Sequence, residues 1–117
     1  MKDTKEEAGG VTFAAHTTGA KREKLGVRYD LFPIEGIEAY SEIAEFGARK
    51  YEPWNWAKGL PRMQIAASLI RHLWAYMRGE DNDPESGLPH TSHVVWNAVA
   101  LAYNHKHGIE DDRRPKL

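Results

Sequence analysis

The sequence predicts an all-α fold, a small bundle of three main helices completed by oligomerisation. Three observations carry that expectation. Three stretches repeat apolar residues at three- and four-residue steps, the period of a helix with one covered face. Prolines and glycines (Pro33, Pro53, Gly59, Pro61, Gly79, Gly87, Pro89) fall between those stretches, where they delimit helices rather than interrupt them. No apolar–polar alternation runs beyond a few residues, so no strand is expected.

A chain of 117 residues, 41% apolar, has the size of one domain and material for one core. Sixteen Lys and Arg stand against seventeen Asp and Glu, a formal net charge of −1. So even a balance gives no broad positive field for polymeric nucleic acid or a membrane surface, yet a few local cations suffice for a small anion. The absence of cysteine excludes disulfides, thiolate zinc sites and a cysteine nucleophile, and fits a reducing compartment. The first residues, Met1-Lys-Asp-Thr-Lys-Glu-Glu7, are too charged for a secretory core, and no apolar run reaches membrane-spanning length. A cytoplasmic protein without a membrane partner is expected.

Residues 1–20 are small, polar and glycine-spotted, and read as a flexible N-terminal arm. A helical domain is expected over 21–107, entered through a basic, extended lead-in that ends at Pro33. The first helix is expected over Ile34–Lys50, with Ile37, Tyr40, Ala44, Ala48 and Tyr51 as its covered face. Glu35, Glu38, Glu42 and Glu45 form a carboxylate stripe beside that face, which reads as a solvated surface or as a Mg²⁺ holder. Lys50 to Pro61 is a rigid aromatic loop with Tyr51, Trp54, Asn55 and Trp56. A second helix starts at Pro61 and runs to about Arg78, with Ala66, Leu69, Leu73, Tyr76 and Met77 inward. An acidic connector, Glu80 to Pro89, leads to a third helix that ends near His105, and 108–117 is a charged tail.

The third helix concentrates the chemistry. From Thr91 to Asn104 it holds no formally charged residue, and Val94, Val95, Trp96, Val99 and Leu101 cover much of its circumference. At 100° per residue, His90, His93, Asn97 and Asn104 fall within about 60° of one another. A polar stripe on a buried helix must meet partners, because each unpaired buried polar group costs about 1–3 kcal/mol. A ligand pocket satisfies that need; so does a hydrogen-bonded core network or an oligomer seam. His72 on the second helix is the natural companion. With His90, His93 and Asp83 it makes a candidate nitrogen–oxygen metal set, although no metal is required for the binding reading. An EF-hand reading of the connector fails, since its sixth and twelfth positions are Ser86 and Ser92. The loop suits a nucleotide: Trp54 and Trp56 offer stacking faces beside Lys50 and Lys58, and Arg28 and Arg71 offer bidentate guanidinium forks for phosphate.

Gly19-Ala-Lys-Arg22, Arg28-Tyr-Asp-Leu-Phe-Pro33, Gly47-Ala-Arg-Lys-Tyr51, Asn55-Trp56, Arg71-His-Leu73, Gly79-Glu-Asp81 and His90-x-x-His93-x-x-Trp96-Asn97 occur in that order. As an ordered set over about residues 19–105 they resemble the phage-encoded dATP/dGTP diphosphohydrolase N-terminal domain family. That family is distantly similar to the all-α nucleotide pyrophosphohydrolases of the MazG kind, in which Glu-x-x-Glu and Glu-x-x-Asp hold Mg²⁺ against a nucleoside triphosphate. The resemblance implies a helical fold and a nucleotide-sized pocket. Here the second motif falls on His90-x-x-His93, and His72 stands where a first-motif glutamate is expected.

The leading expectation is therefore a phage-type protein that binds a small phosphate-bearing nucleotide through Arg28, Lys50, Asn55, Trp56, Arg71, His72, His90, His93 and Asn97. Without hydrolytic carboxylates it would sequester a host nucleotide signal, an anti-defence sponge in the host cytoplasm. The alternative is a divalent-metal diphosphohydrolase of dATP and dGTP that uses Glu80 and Asp83, with Glu38 and Glu42 in support. A purely structural homo-oligomer is the third reading.

Overall fold

The computed structural model describes residues 4–8, 11–15, 18–23, 26–108 and 114–116. The chain divides into two compact units, Met1–Phe32 and Pro33–Leu117.

The first unit contains a three-stranded antiparallel sheet in the order β1 (Thr4–Ala8), β2 (Val11–Ala15), β3 (Lys21–Glu23). β1 pairs with β2 from Thr4↔Ala15 to Ala8↔Val11, and β2 with β3 from Phe13↔Glu23 to Ala15↔Lys21. The strands occupy much of the segment expected to be a flexible arm. They escape a pattern reading because Thr4–Ala8 carries no apolar alternation. A single 3₁₀ turn, Tyr29–Leu31, follows.

The second unit is the expected three-helix domain: α1 (Ile34–Lys50), α2 (Arg62–Met77) and α3 (His90–His107), with a short 3₁₀ turn at Asn55–Lys58. All three helices start directly after a proline, at Pro33, Pro61 and Pro89. Proline presets φ, and its missing N–H lies outside the helical ladder there. α2 stops before Gly79 (φ +97°) and α3 before Gly108 (φ +57°), conformations that a Cβ disfavours. The charged tail falls largely on 109–113 and 117, which lie outside the described residues.

α3 packs against both α2 and α1, while α1 and α2 scarcely touch. The side of α3 that turns inward is its polar stripe: His90, His93, Asn97 and Asn104 are buried, with Ala100 beside them, and Ser92 is buried off the stripe in the first turn. Two expected faces need correction. On α1 the buried residue is Ile43, whereas Ile37 and Tyr51 are exposed. On α2 the inward residues are Ile65 and Ala75, whereas Leu73, Tyr76 and Met77 lie exposed. Apolar residues surround most of α2, so their period alone did not fix which side meets α3. Only Ile43, Ile65, Ala75 and Ala100 are buried apolar residues among those described. No described helix is long and apolar enough to cross a membrane.

Candidate functional site

Because α1 and α2 are splayed over α3, an open cavity of about 710 Å³ lies between them. α3 supplies its floor with His93, Trp96 and Asn97; α1 and the aromatic loop form one wall and α2 the other. Gln64, Ser68, Arg71 and His72 of α2 face in, and Asp83 and Glu85 of the connector close one end.

The connector is held there by its own backbone. Asp83 N–H donates to Leu88 O (2.8 Å), and His90 N–H to Asp81 O (2.9 Å), so the chain returns on itself before α3. Asp83 Oδ2 accepts from Ser86 N (2.9 Å) and Ser86 Oγ (3.0 Å). Ser86 Oγ in turn lies 2.7 Å from His93 Nε2, which is 3.7 Å from Asp83 Oδ2. The turn thus ties an aspartate and a histidine together through one serine.

A second link joins two histidines directly. His72 Nδ1 and His90 Nδ1 lie 2.8 Å apart, and His90 Nε2 is 2.7 Å from Glu80 Oε1. The carboxylate fixes the tautomer: His90 donates Nε2–H to Glu80, so neutral His90 presents its Nδ1 lone pair to His72. The His72 ring also stacks on His93, with centroids 4.2 Å apart and planes at 6°. Burial and the neighbouring His93 push the His72 imidazole down to about 4. Burial likewise lowers His93, against the pull of Asp83. Burial opposes ionisation of Asp83, but the Ser86 hydrogen bonds and the two imidazoles hold its carboxyl below the ordinary value. His72, Asp83 and His90 each offer a ligand atom, all within 4.8 Å of one another, a set able to hold a metal ion.

The opposite end of the cavity is aromatic. Trp56 packs edge-on against Trp96 and Tyr103, with ring centroids 6.2 and 4.9 Å away. Trp54, 70% exposed, adopts a left-handed backbone (φ +63°) that is rare for a bulky side chain. Lys50 Nζ bonds Glu85 Oε1 (2.7 Å), which raises its pKa, and lies over the Phe46 and Tyr51 rings. Lys58 pairs with Glu52. Arg71 lines the α2 wall without an ion pair among the described residues.

Of the residues singled out from the sequence, Lys50, Asn55, Trp56, Arg71, His72, His93, Asn97 and Asp83 line this one cavity. His90 sits beneath it against His72. Asn97 donates one Nδ2–H to His93 O (2.8 Å), which leaves its carbonyl oxygen and its second N–H for a ligand. Glu80 is half exposed and acts on His90 rather than on the cavity. Glu38 and Glu42 lie on the exposed face of α1, outside the cavity lining. Arg28 belongs to the first unit, where its guanidinium makes a two-pronged pair with Asp30 (2.8 and 2.6 Å). Sequence reasoning missed Ser86, Glu85 and the ring-orienting role of Glu80. The available signal was Asp83-Pro-Glu-Ser86-Gly87, a turn pattern in which an aspartate bonds a serine three residues on.

Residues 16–114 match the family model described as dATP/dGTP diphosphohydrolase, N-terminal. No curated protein and no solved structure matches the chain.

Proposed function

The chain belongs to the dATP/dGTP diphosphohydrolase N-terminal family, and from that premise we propose that the cavity over α3 binds a purine deoxynucleoside triphosphate and hydrolyses it. Water adds at the α-phosphorus, the α–β anhydride bond breaks, and pyrophosphate leaves with the nucleoside monophosphate as second product. One observation carries the reading: a single cavity joins an aromatic wall, an arginine without an ion pair among the described residues and a histidine–aspartate cluster. The base stacks at the Trp54–Trp56 end, since flat rings recognise any purine face. Arg71 takes a phosphate through its fork, and Lys50 adds charge once it leaves Glu85. A divalent cation, when bound, neutralises developing charge on the phosphates. The working form is a homo-oligomer.

Sequestration without turnover is the second reading. What favours it is the shortage of free carboxylate: of the three acidic residues in the cavity, Glu52 and Glu85 are tied to Lys58 and Lys50, which leaves Asp83. Incubation with dATP and dGTP, each with Mg²⁺, Mn²⁺ or Zn²⁺, separates the readings. Pyrophosphate release supports the hydrolase. Recovery of intact, tightly held nucleotide favours a sponge, and absence of any affinity favours a structural role.

A further inference from the structure

We propose that His72 and His90, both through Nδ1, and Asp83 form a binding site for a first-row transition-metal ion of the zinc class rather than for magnesium. The site is defined by its geometry and does not depend on the hydrolytic reading.

Two imidazole nitrogens aimed at each other at 2.8 Å share one proton in the metal-free protein. That separation is close to what two ligands of one ion need: nitrogens each about 2.05 Å from a metal lie about 2.9 Å apart at a right angle and about 3.3 Å apart at the tetrahedral angle zinc prefers, so the two rings open by about half an ångström at most to admit the ion. Asp83 brings the third donor. Both of its hydrogen bonds from Ser86 fall on Oδ2, so Oδ1 is the oxygen left for a metal.

The surroundings match what metal-bound histidines need. His90 donates its remote Nε2–H to the Glu80 carboxylate, the outer contact that fixes a ligating ring and raises its basicity. His72 carries the proton of the Nδ1–Nδ1 contact, since His90 presents a lone pair there. To bind through Nδ1 it only shifts its proton to Nε2, with no change of charge. His93, spoken for by Ser86, orients Asp83 and is not a ligand.

This donor set does not fit magnesium. Mg²⁺ requires oxygen ligands, whereas two imidazoles and one carboxylate suit zinc, cobalt or nickel. The three protein donors come from α2, the connector and the start of α3, at the end of the cavity closed by Asp83. Two of the three donors, His72 and Asp83, line the cavity, so the ion would be reached from there.

The test is calorimetric titration of the full chain with Zn²⁺ and Co²⁺ without nucleotide, with the visible Co²⁺ bands as a second readout. The expected result is one ion per chain with micromolar or tighter affinity, unaffected by millimolar Mg²⁺. His72→Ala and Asp83→Asn should each weaken binding at least tenfold, Glu80→Gln by about tenfold to a hundredfold, and His105→Ala not at all. Should a variant lose its helical circular dichroism, ¹⁵N spectra of the wild-type histidine rings decide instead: Nδ1 of His72 and His90 should shift on Zn²⁺ addition while the rings of His105 and His107 hold still. No stoichiometric binding, competition by Mg²⁺, or shifts confined to His105 and His107 would overturn the site. Such a failure would leave nucleotide affinity intact, and a lack of turnover would leave metal binding intact, so the two proposals fail separately.

Discussion

The imidazoles of His72 and His93 lie face to face, 4.2 Å apart and 6° from parallel, although they belong to two different helices. Two cationic rings repel in that arrangement, so the stack adds to burial in keeping His72 neutral. His72 drops from an ordinary 6.5 to about 4, through burial first and His93 second, with His90 and Arg71 adding to the effect and Asp83 opposing it.

The first prediction is a fall in stability in mild acid. A histidine whose folded pKa is depressed binds fewer protons folded than unfolded, so stability declines as pH falls from 6.5 towards about 4. His93 shifts in the same direction. Thermal melts should lose several degrees between pH 7 and pH 5. His72→Phe, which keeps a flat ring, should flatten that profile; a wild-type Tm constant across the range would contradict the stacked neutral pair.

Arg71 is the cation best placed to take a phosphate, because Lys50 and Lys58 already hold glutamates. Arg71→Ala should weaken nucleotide binding by about tenfold to a few hundredfold, the range for a charge-assisted hydrogen bond of roughly 1.5–3 kcal/mol. Arg71→Lys should weaken it as well, since a point charge lacks the fork. Arg28→Ala should have the smaller effect, because Arg28 is engaged by Asp30. Titration with dGTP in all three variants measures the order.

Asn97 separates binding from folding. Its Nδ2–H bonds the carbonyl one turn back on its own helix, and such a bond contributes about 1 kcal/mol at most times. Asn97→Ala should therefore shift melting by only a few degrees while it removes a polar contact from the cavity floor. If melting and affinity collapse together, the stripe serves the core and not a ligand. Asn104, wholly buried and outside the cavity lining, is the control whose loss should act on stability alone.

Helix positions were legible in the sequence because prolines mark the starts: Ile34–Lys50 is both the expected and the observed span of α1. The inward stripe of α3 was legible too, since four polar residues on one narrow arc must be satisfied together. The orientation of α2 was not, because Ile65, Leu69, Ile70, Leu73, Trp74 and Met77 leave no single apolar side to choose. Nor was the Asp83–Ser86–His93 link, which depends on the connector folding back through Asp81 O and Leu88 O. Spacing along a chain carries helix faces well; it does not carry which residues a loop returns to.

The exposed side of α2 supplies the last prediction. Met63, Ala67, Ile70, Trp74 and Met77 alternate at four- and three-residue steps and fall within about 80° on the helix, the spacing of a coiled-coil seam. Met63, Ile70, Trp74 and Met77 are 40, 45, 60 and 70% exposed in the single chain, and the stripe holds no charge. Four buried apolar residues among those described make a small core, so covering that seam would add hydrophobic burial. A second copy is the natural cover, because the same uncharged stripe on both chains is self-complementary about a two-fold axis. Light scattering should give at least twice the 13.3 kDa chain mass at micromolar concentration. Trp74→Glu, which places a carboxylate in the middle of the seam, should shift the mass towards one chain and lower the melting temperature. A wild-type protein that runs as a monomer would leave the stripe without this explanation, and an oligomer indifferent to Trp74→Glu would place the contact on another face.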